Sequence, residues 1–141
     1  MAASRIGQVA QVSMSGRASG GLRPERFVGY REGRLAKPLG LTQFGVNVVD
    51  LDPGAASALR HWHEAEDEFV YVLSGDVVLV DDNGDQPLAA GSFAAFPAGE
   101  PNAHHFINRS GAPVRLLVVG SRKPGEETIH YPDDPPGTIR K

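Results

Sequence analysis

The sequence contains no cysteine, so disulfides, thiolate metal sites and cysteine nucleophiles are all excluded. That absence agrees with a reducing compartment, and it means that any metal ion held by this chain must be held by histidine and carboxylate. Positive charge is scarce as well: 14 Lys and Arg stand against 17 Asp and Glu, and the cations are scattered instead of forming one stripe. A nucleic acid would find no basic footprint, and no such partner is expected. Long apolar runs are also missing. The opening MAASRIGQVAQVSMSGRASGG lacks the apolar stretch of a signal peptide, and no later segment approaches the roughly 18 apolar residues of a membrane span. The expectation is a soluble, cytoplasmic protein without a membrane partner. No long helical period and no internal repeat interrupts the pattern described next.

What is present points to an all-β domain. The 141 residues suit one domain with one core, and 17 Gly with 11 Pro exceed average usage, as many turns between short strands require. β-branched and apolar segments predict strands at 42–51, 57–63, 68–73, 76–80, 93–96, 104–108 and 114–120. Between them lie turn signals, of which Asn83-Gly84 is the strongest hairpin indicator. A closed or double-sheet antiparallel fold protects the edges of such strands. The predicted layout is an N-terminal extension over 1–40, partly flexible where residues 13–21 are small and polar, then a barrel over 41–120. The tail at 121–141 carries Pro124, Pro132, Pro135 and Pro136, which argue against a helix or a central strand. It should lie extended over the barrel or a neighbour, with His130 and Tyr131 in a disordered or dimer-clasping segment in preference to a cap. Core candidates are Val46, Val48, Val70, Val72, Val78, Val80, Phe93, Phe106, Leu116 and Val118.

The segment from Arg60 to Val72 carries the chemistry. In a strand, residues two apart share a face, so His61 and His63 project side by side while Arg60 and Trp62 point away. Glu68 opens the following strand on the face of Val70 and Val72, and a carboxylate in an otherwise apolar row needs a partner. Further on, His104, Phe106 and Asn108 share one face and His105 takes the other. Three imidazoles and one carboxylate suit a divalent Mn, Fe, Co, Ni, Cu or Zn ion, with geometry and supply deciding among them. Glu64, Glu66 and Asp67 read as a solvated acidic rim. Gln43 and Asn47 alternate on an early strand that could line a cavity and, with Phe106, are candidate substrate contacts. Phe69, Tyr71 and Leu73 fill the face opposite the ligand row, which predicts a homodimer.

These residues resemble the two motifs of the cupin superfamily. Gly54, His61, His63, Glu68 and Gly75 follow the first motif, with the opening glycine one residue further off than usual. Gly91, Pro97, Gly99, His104 and Asn108 follow the second, with four residues instead of two between Gly99 and His104. That longer gap leaves His104 and His105 as alternatives for the last ligand, and the His-x-Phe-x-Asn alternation favours His104. The resemblance implies a small single-domain jelly-roll barrel with a metal in its mouth, bound by His61, His63, Glu68 and His104, and frequent homodimers. It also implies a small oxygenated molecule as substrate, with sugar-isomerase-like or dioxygenase-like chemistry. The alternative is a non-catalytic module in which the metal anchors a small ligand.

Overall fold

A computed structural model describes residues 5–16, 24–135 and 137–140 of the chain. Of the stretch at 13–21 expected to be flexible, residues 17–21 lie outside the described residues. Among the described residues there are eleven strands: β1 (Tyr30–Arg34), β2 (Phe44–Leu51), β3 (Trp62–His63), β4 (Glu68–Ser74), β5 (Asp76–Asp81), β6 (Gly84–Ala89), β7 (Phe93–Phe96), β8 (His105–Ile107), β9 (Val114–Ser121), β10 (Thr128–His130) and β11 (Thr138–Arg140). A five-stranded sheet runs in the order β1-β2-β9-β4-β7, and two three-stranded sheets run β6-β5-β8 and β11-β10-β3. All named pairings are antiparallel. The result is the antiparallel all-β fold that the strand pattern predicts, with the jelly-roll form that the cupin resemblance implies. No helix among the described residues is long and apolar enough to cross a membrane.

The core lies between the five-stranded sheet and the sheet around β5. Val49, Leu51, Val70, Val72, Val114 and Leu116 meet Val77, Leu79 and Phe106, with Phe27, Tyr30 and Leu59 among the same cluster. Three expectations about facing are corrected here. In β5 the buried residues are Val77 and Leu79, not Val78 and Val80. In β7 the partly buried Ala94 and Phe96 pack on the core, while Phe93 is 65% exposed. Both strands are apolar in both phases, so alternation could not say which phase faces inward. In β2 the inner residues are Val49 and Leu51; Val48 is outside the core cluster yet only 1% exposed. The N-terminal segment covers it: a side chain added at Gly33 would meet Val12, Met14 and Val48.

Four strands were not predicted. β6 contains Pro87, which argues against a strand, but β6 is an edge strand and its proline costs no ladder bond. β1 is YREGR, too polar to look buried, and it joins the sheet from within the 1–40 stretch read as an extension. β10 is the central strand of its small sheet, against the expectation for the tail; the prolines flank it without entering it. The predicted strand at 57–63 is mostly loop and closes to a strand only at Trp62–His63. The Asn83-Gly84 hairpin forms as expected, with Asp81 paired to Gly84.

Two motif residues owe their identity to the frame. Gly75 has φ +85°, and a Cβ there would sit 2.6 Å from the Pro113 carbonyl oxygen. Asn108 is buried, and its amide donates to Leu51 O at 2.9 Å and Ala112 O at 2.8 Å while its oxygen accepts from Ser110. It ties a turn to the end of β2 and is not a cavity group.

Candidate metal centre

The backbone brings the four residues together in two steps. His61 and His104 face each other across a two-stranded bridge, each amide N–H donating to the other's carbonyl at 3.2 and 3.0 Å. Glu68, first residue of β4, is paired to Phe96 of β7 and Gly120 of β9, which sets its carboxylate beneath them. His63 follows on β3. The ring of His104 stacks on Phe96 at 3.5 Å between centroids, and the His61 ring lies 4.9 Å from that of His63 and 4.8 Å from that of His104.

Each imidazole has its Nδ1 side engaged away from the centre. Nδ1 of His61 lies 2.7 Å from Leu59 O, and Nδ1 of His63 lies 2.8 Å from Glu127 Oε2. A proton on these nitrogens leaves Nε2 as the free lone pair. The Nε2 atoms converge on Glu68: His104 at 2.8 Å from Oε1, His63 at 3.6 Å and His61 at 3.9 Å from Oε2. Ligands about 2.1 Å from a common ion stand roughly 3–3.5 Å from one another. The ligand atoms of His61, Glu68 and His104 lie within 4.8 Å of one another, a donor set that suits one divalent transition metal, and His63 adjoins this group through Glu68 while also lying with Glu66 and Glu127. His105 is not part of the group; its Nδ1 contacts Ala58 O at 2.8 Å on the other face.

The charges are consistent with a site built for a cation. Burial pushes the Glu68 carboxyl up, but the hydrogen bonds that His104, His61 and His63 donate when a proton occupies Nε2 outweigh it and hold it well below the usual carboxylate range; a cation would take the place of those protons. Burial draws His61 below the ordinary imidazole value despite Glu68. Burial acts on His63 in the same sense, yet the Glu68 and Glu127 carboxylates together overcome it and raise its pKa.

Glu127 was missed by sequence reasoning. It is 2% exposed, just before β10, and accepts from the Ala65 backbone N–H at 3.0 Å as well as contacting His63. Its neighbours Thr128 and Ile129 made a short β-favouring run between Pro124 and Pro132, the only signal that a strand was there. The tail is thus a cover for the mouth. His130 stacks on Trp62 at 4.2 Å and contacts Glu64, Asp133 accepts from Arg60 at 2.7 Å, and the Tyr131 ring lies 5.9 Å from that of His61. That corrects the expectation of a disordered segment for His130 and Tyr131, which pack on the chain's own mouth.

The centre opens on a cavity of about 330 Å³. Asn47 and Phe106 line it, together with Glu32, Glu66, Arg122 and Tyr131. Gln43 does not; it is exposed, and its carbonyl accepts from the Arg122 backbone N–H at 3.0 Å. Glu66, expected in the solvated rim, has its pKa raised by burial and by its neighbour Glu127.

Residues 47–120 match the family profile described as "Cupin domain". The chain is a cupin. A structure described as a sugar phosphate isomerase of the cupin superfamily, from Silicibacter pomeroyi, is 44% identical to this cupin with a TM-score of 0.85, over 95% of this chain and 91% of that one. Another, described as a candidate sugar phosphate isomerase from Acidithiobacillus ferrooxidans, is 31% identical with a TM-score of 0.69, over 76% and 69% of the two chains. Among curated proteins, the oxalate-binding protein of Thermotoga maritima is 34% identical over 71 residues, a match that takes in 50% of this cupin and 56% of that protein.

Proposed function

We propose that this cupin is a metal-dependent enzyme acting on a small oxygenated molecule, with sugar-isomerase-like chemistry as the leading reading. The observation that carries it is the convergence of three Nε2 atoms and the Glu68 carboxylate at the floor of an open cavity. His61, His63, Glu68 and His104 would hold the ion, whose chemistry when bound is Lewis-acid polarisation of a substrate oxygen. The chain's own residues do the rest. Glu127 fixes the ring of His63, Phe96 fixes that of His104, and Asn47 offers a side-chain amide to a substrate hydroxyl. The likeness to a structure described as a sugar phosphate isomerase, and to a second described as a candidate one, supports isomerisation over oxidative cleavage. The test is proton exchange or aldose–ketose interconversion of a small sugar derivative, followed by NMR on protein loaded with Mn, Fe, Co, Ni, Cu or Zn. Turnover that requires the ion supports the reading. Oxygen consumption with iron alone would transfer it to dioxygenase-like chemistry.

A second reading is a non-catalytic module that anchors a small carboxylate on the metal, favoured by the oxalate-binding relative. It predicts binding without turnover for every loaded ion.

Two smaller predictions arise here. Glu127→Ala should weaken metal affinity about 10- to 100-fold, the usual cost of losing a carboxylate behind a ligating histidine, and Glu127→Gln should lose less because it keeps an acceptor. A chromophoric chelator competition measures both; equal affinity in all three proteins would remove Glu127 from the account. Affinity should also fall as pH drops through the imidazole range, because protons compete for the same nitrogens.

The homodimer belongs to this proposal as well. On the outer face of the five-stranded sheet Phe93 stacks with Phe69 at 5.8 Å and Tyr71 at 6.4 Å, and Leu73 of the same strand as Tyr71 is exposed as well. Such a patch is suited to a second copy. Sedimentation at micromolar concentration should give twice the chain mass, and Phe93→Asp should give the monomer. A wild-type monomer under those conditions contradicts the dimer.

A further inference from the structure

The cross-strand row that contains Glu68 has an unusual neighbour. Glu68 of β4 is paired with Gly120 of β9, and Gly120 in turn with Gly45 of β2. Two glycines side by side leave a notch in the cavity wall where any other pair would place side chains. The guanidinium of Arg122, one residue past β9, fills it. A Cβ at Gly45 would lie 2.1 Å from its Nη2, and one at Gly120 would lie 3.3 Å from its Nη1. Neighbouring strands are about 4.8 Å apart, so the guanidinium stands roughly one to two strand spacings from the Glu68 position.

Its bonding differs from that of four other arginines, while among the described residues Arg34 and Arg140 on the surface also lack an ion pair but do not line this cavity. Arg31, Arg60, Arg109 and Arg115 are each paired to an aspartate. Among the described residues no carboxylate is in ion-pair contact with Arg122, although its charge acts on the Glu66 carboxylate of the same lining. The side chain is exposed and its hydrogen bonds are long, from Nη1 to the carbonyl oxygens of Gly120 at 3.5 Å and Ser121 at 3.4 Å. A guanidinium carries five donors in a planar fork that matches an oxyanion. Held over bare backbone on the wall of a cavity, most of these donors are left for a ligand.

We infer that Arg122 binds the oxyanion end of the substrate, a phosphate or a carboxylate, while the metal centre takes its oxygenated other end. This rests on the function proposed above and narrows its substrate to a small anionic polyol. Glu66, whose Oε2 accepts from the Lys123 backbone N–H at 2.9 Å, lies on the same lining and suits the hydroxyl groups between the two ends, since a carboxylate only accepts hydrogen bonds from them. A cavity of about 330 Å³ is at the small end of ligand sites, which run from about 300 to 1,000 Å³, and excludes a large conjugate.

The experiment measures binding of three probes with one carbon skeleton to metal-loaded protein by calorimetry: a hexose phosphate, the matching sugar acid and the neutral hexose. Wild type should bind at least one anionic probe about 10- to 100-fold more tightly than the neutral sugar, the range expected for a charge-assisted fork, and which one it prefers identifies the oxyanion. Arg122→Gln should reduce that probe to the level of the neutral sugar, Arg122→Lys should recover part of the difference, and neutral-sugar affinity should stay the same in all three proteins. Equal anion affinity in wild type and Arg122→Gln overturns the inference. So does a parallel loss for the neutral sugar, or no preference for either anion in wild type. Metal content, measured on the same samples, separates the two proposals: a chain that takes up no ion contradicts the metal reading, whereas full metal content without an Arg122-dependent anion preference contradicts only this one.

Discussion

Replacing Glu68 by Ala should cost at least about 100-fold in divalent metal affinity, more than the 10- to 100-fold typical of groups behind the ligands. Glu68 is the one carboxylate on which all three Nε2 atoms converge, at 2.8, 3.6 and 3.9 Å. Without it an ion would face three neutral imidazoles and lose the carboxylate that all three of them approach, since Glu127 is engaged with the far nitrogen of His63. His104→Ala should lose a comparable amount, because His104 is 1% exposed and its ring is stacked on Phe96, so no other side chain can take its place. His105→Ala is the control. It lies on the other face of the same segment, and affinity should be unchanged. Chelator competition on the three variants decides the matter: equal affinity in Glu68→Ala and wild type would mean that the ion, if held, is held elsewhere.

Removing the metal should lower the melting temperature by roughly 10 °C while leaving the β-structure intact. A ligand that binds only the folded state adds about 2.7 kcal/mol at a hundredfold excess over Kd, and each kcal/mol is worth roughly 2–8 °C for domains on either side of this size. The fold itself does not need the ion. Val49, Leu51, Val70, Val72, Val77, Leu79, Phe106, Val114 and Leu116 form a continuous core that includes none of the four proposed ligands. Circular dichroism after chelation should therefore retain its β signature at room temperature. A random-coil spectrum would make the ion an obligatory folding element and would contradict an open, exchangeable site.

How much of this could be read in the sequence depended on the range of the signal. The His61 and His63 pair is two residues apart, and a period of two needs no tertiary knowledge. Glu68 stood out as a lone charge in an apolar row, and His104 was separated from His105 by the same alternation. Glu127 could not be found this way: it reaches His63 across 64 residues, and only the pairing of β10 with β3 brings the two together. Arg122 was equally silent, because its setting depends on Gly45 and Gly120 being opposite each other in register. Facing failed where both phases were apolar, as in Val77-Val78-Leu79-Val80, and strand detection failed where a proline stood on an edge, as in Pro87. The tail misled for a related reason. Its prolines describe the ends of β10 and say nothing of the three residues between them.

The central claim is a single ion held by three histidines and one glutamate, and the most direct test is a metal-resolved crystal structure of protein prepared without an affinity tag. Elemental analysis should give about one transition-metal ion per chain. Anomalous scattering should place it about 2.0–2.2 Å from Nε2 of His61, His63 and His104 and from a carboxylate oxygen of Glu68, with the remaining positions open to the cavity. An ion bound through His105 or His130, or a chain that takes up none after loading with each of the six candidate metals, would contradict the account.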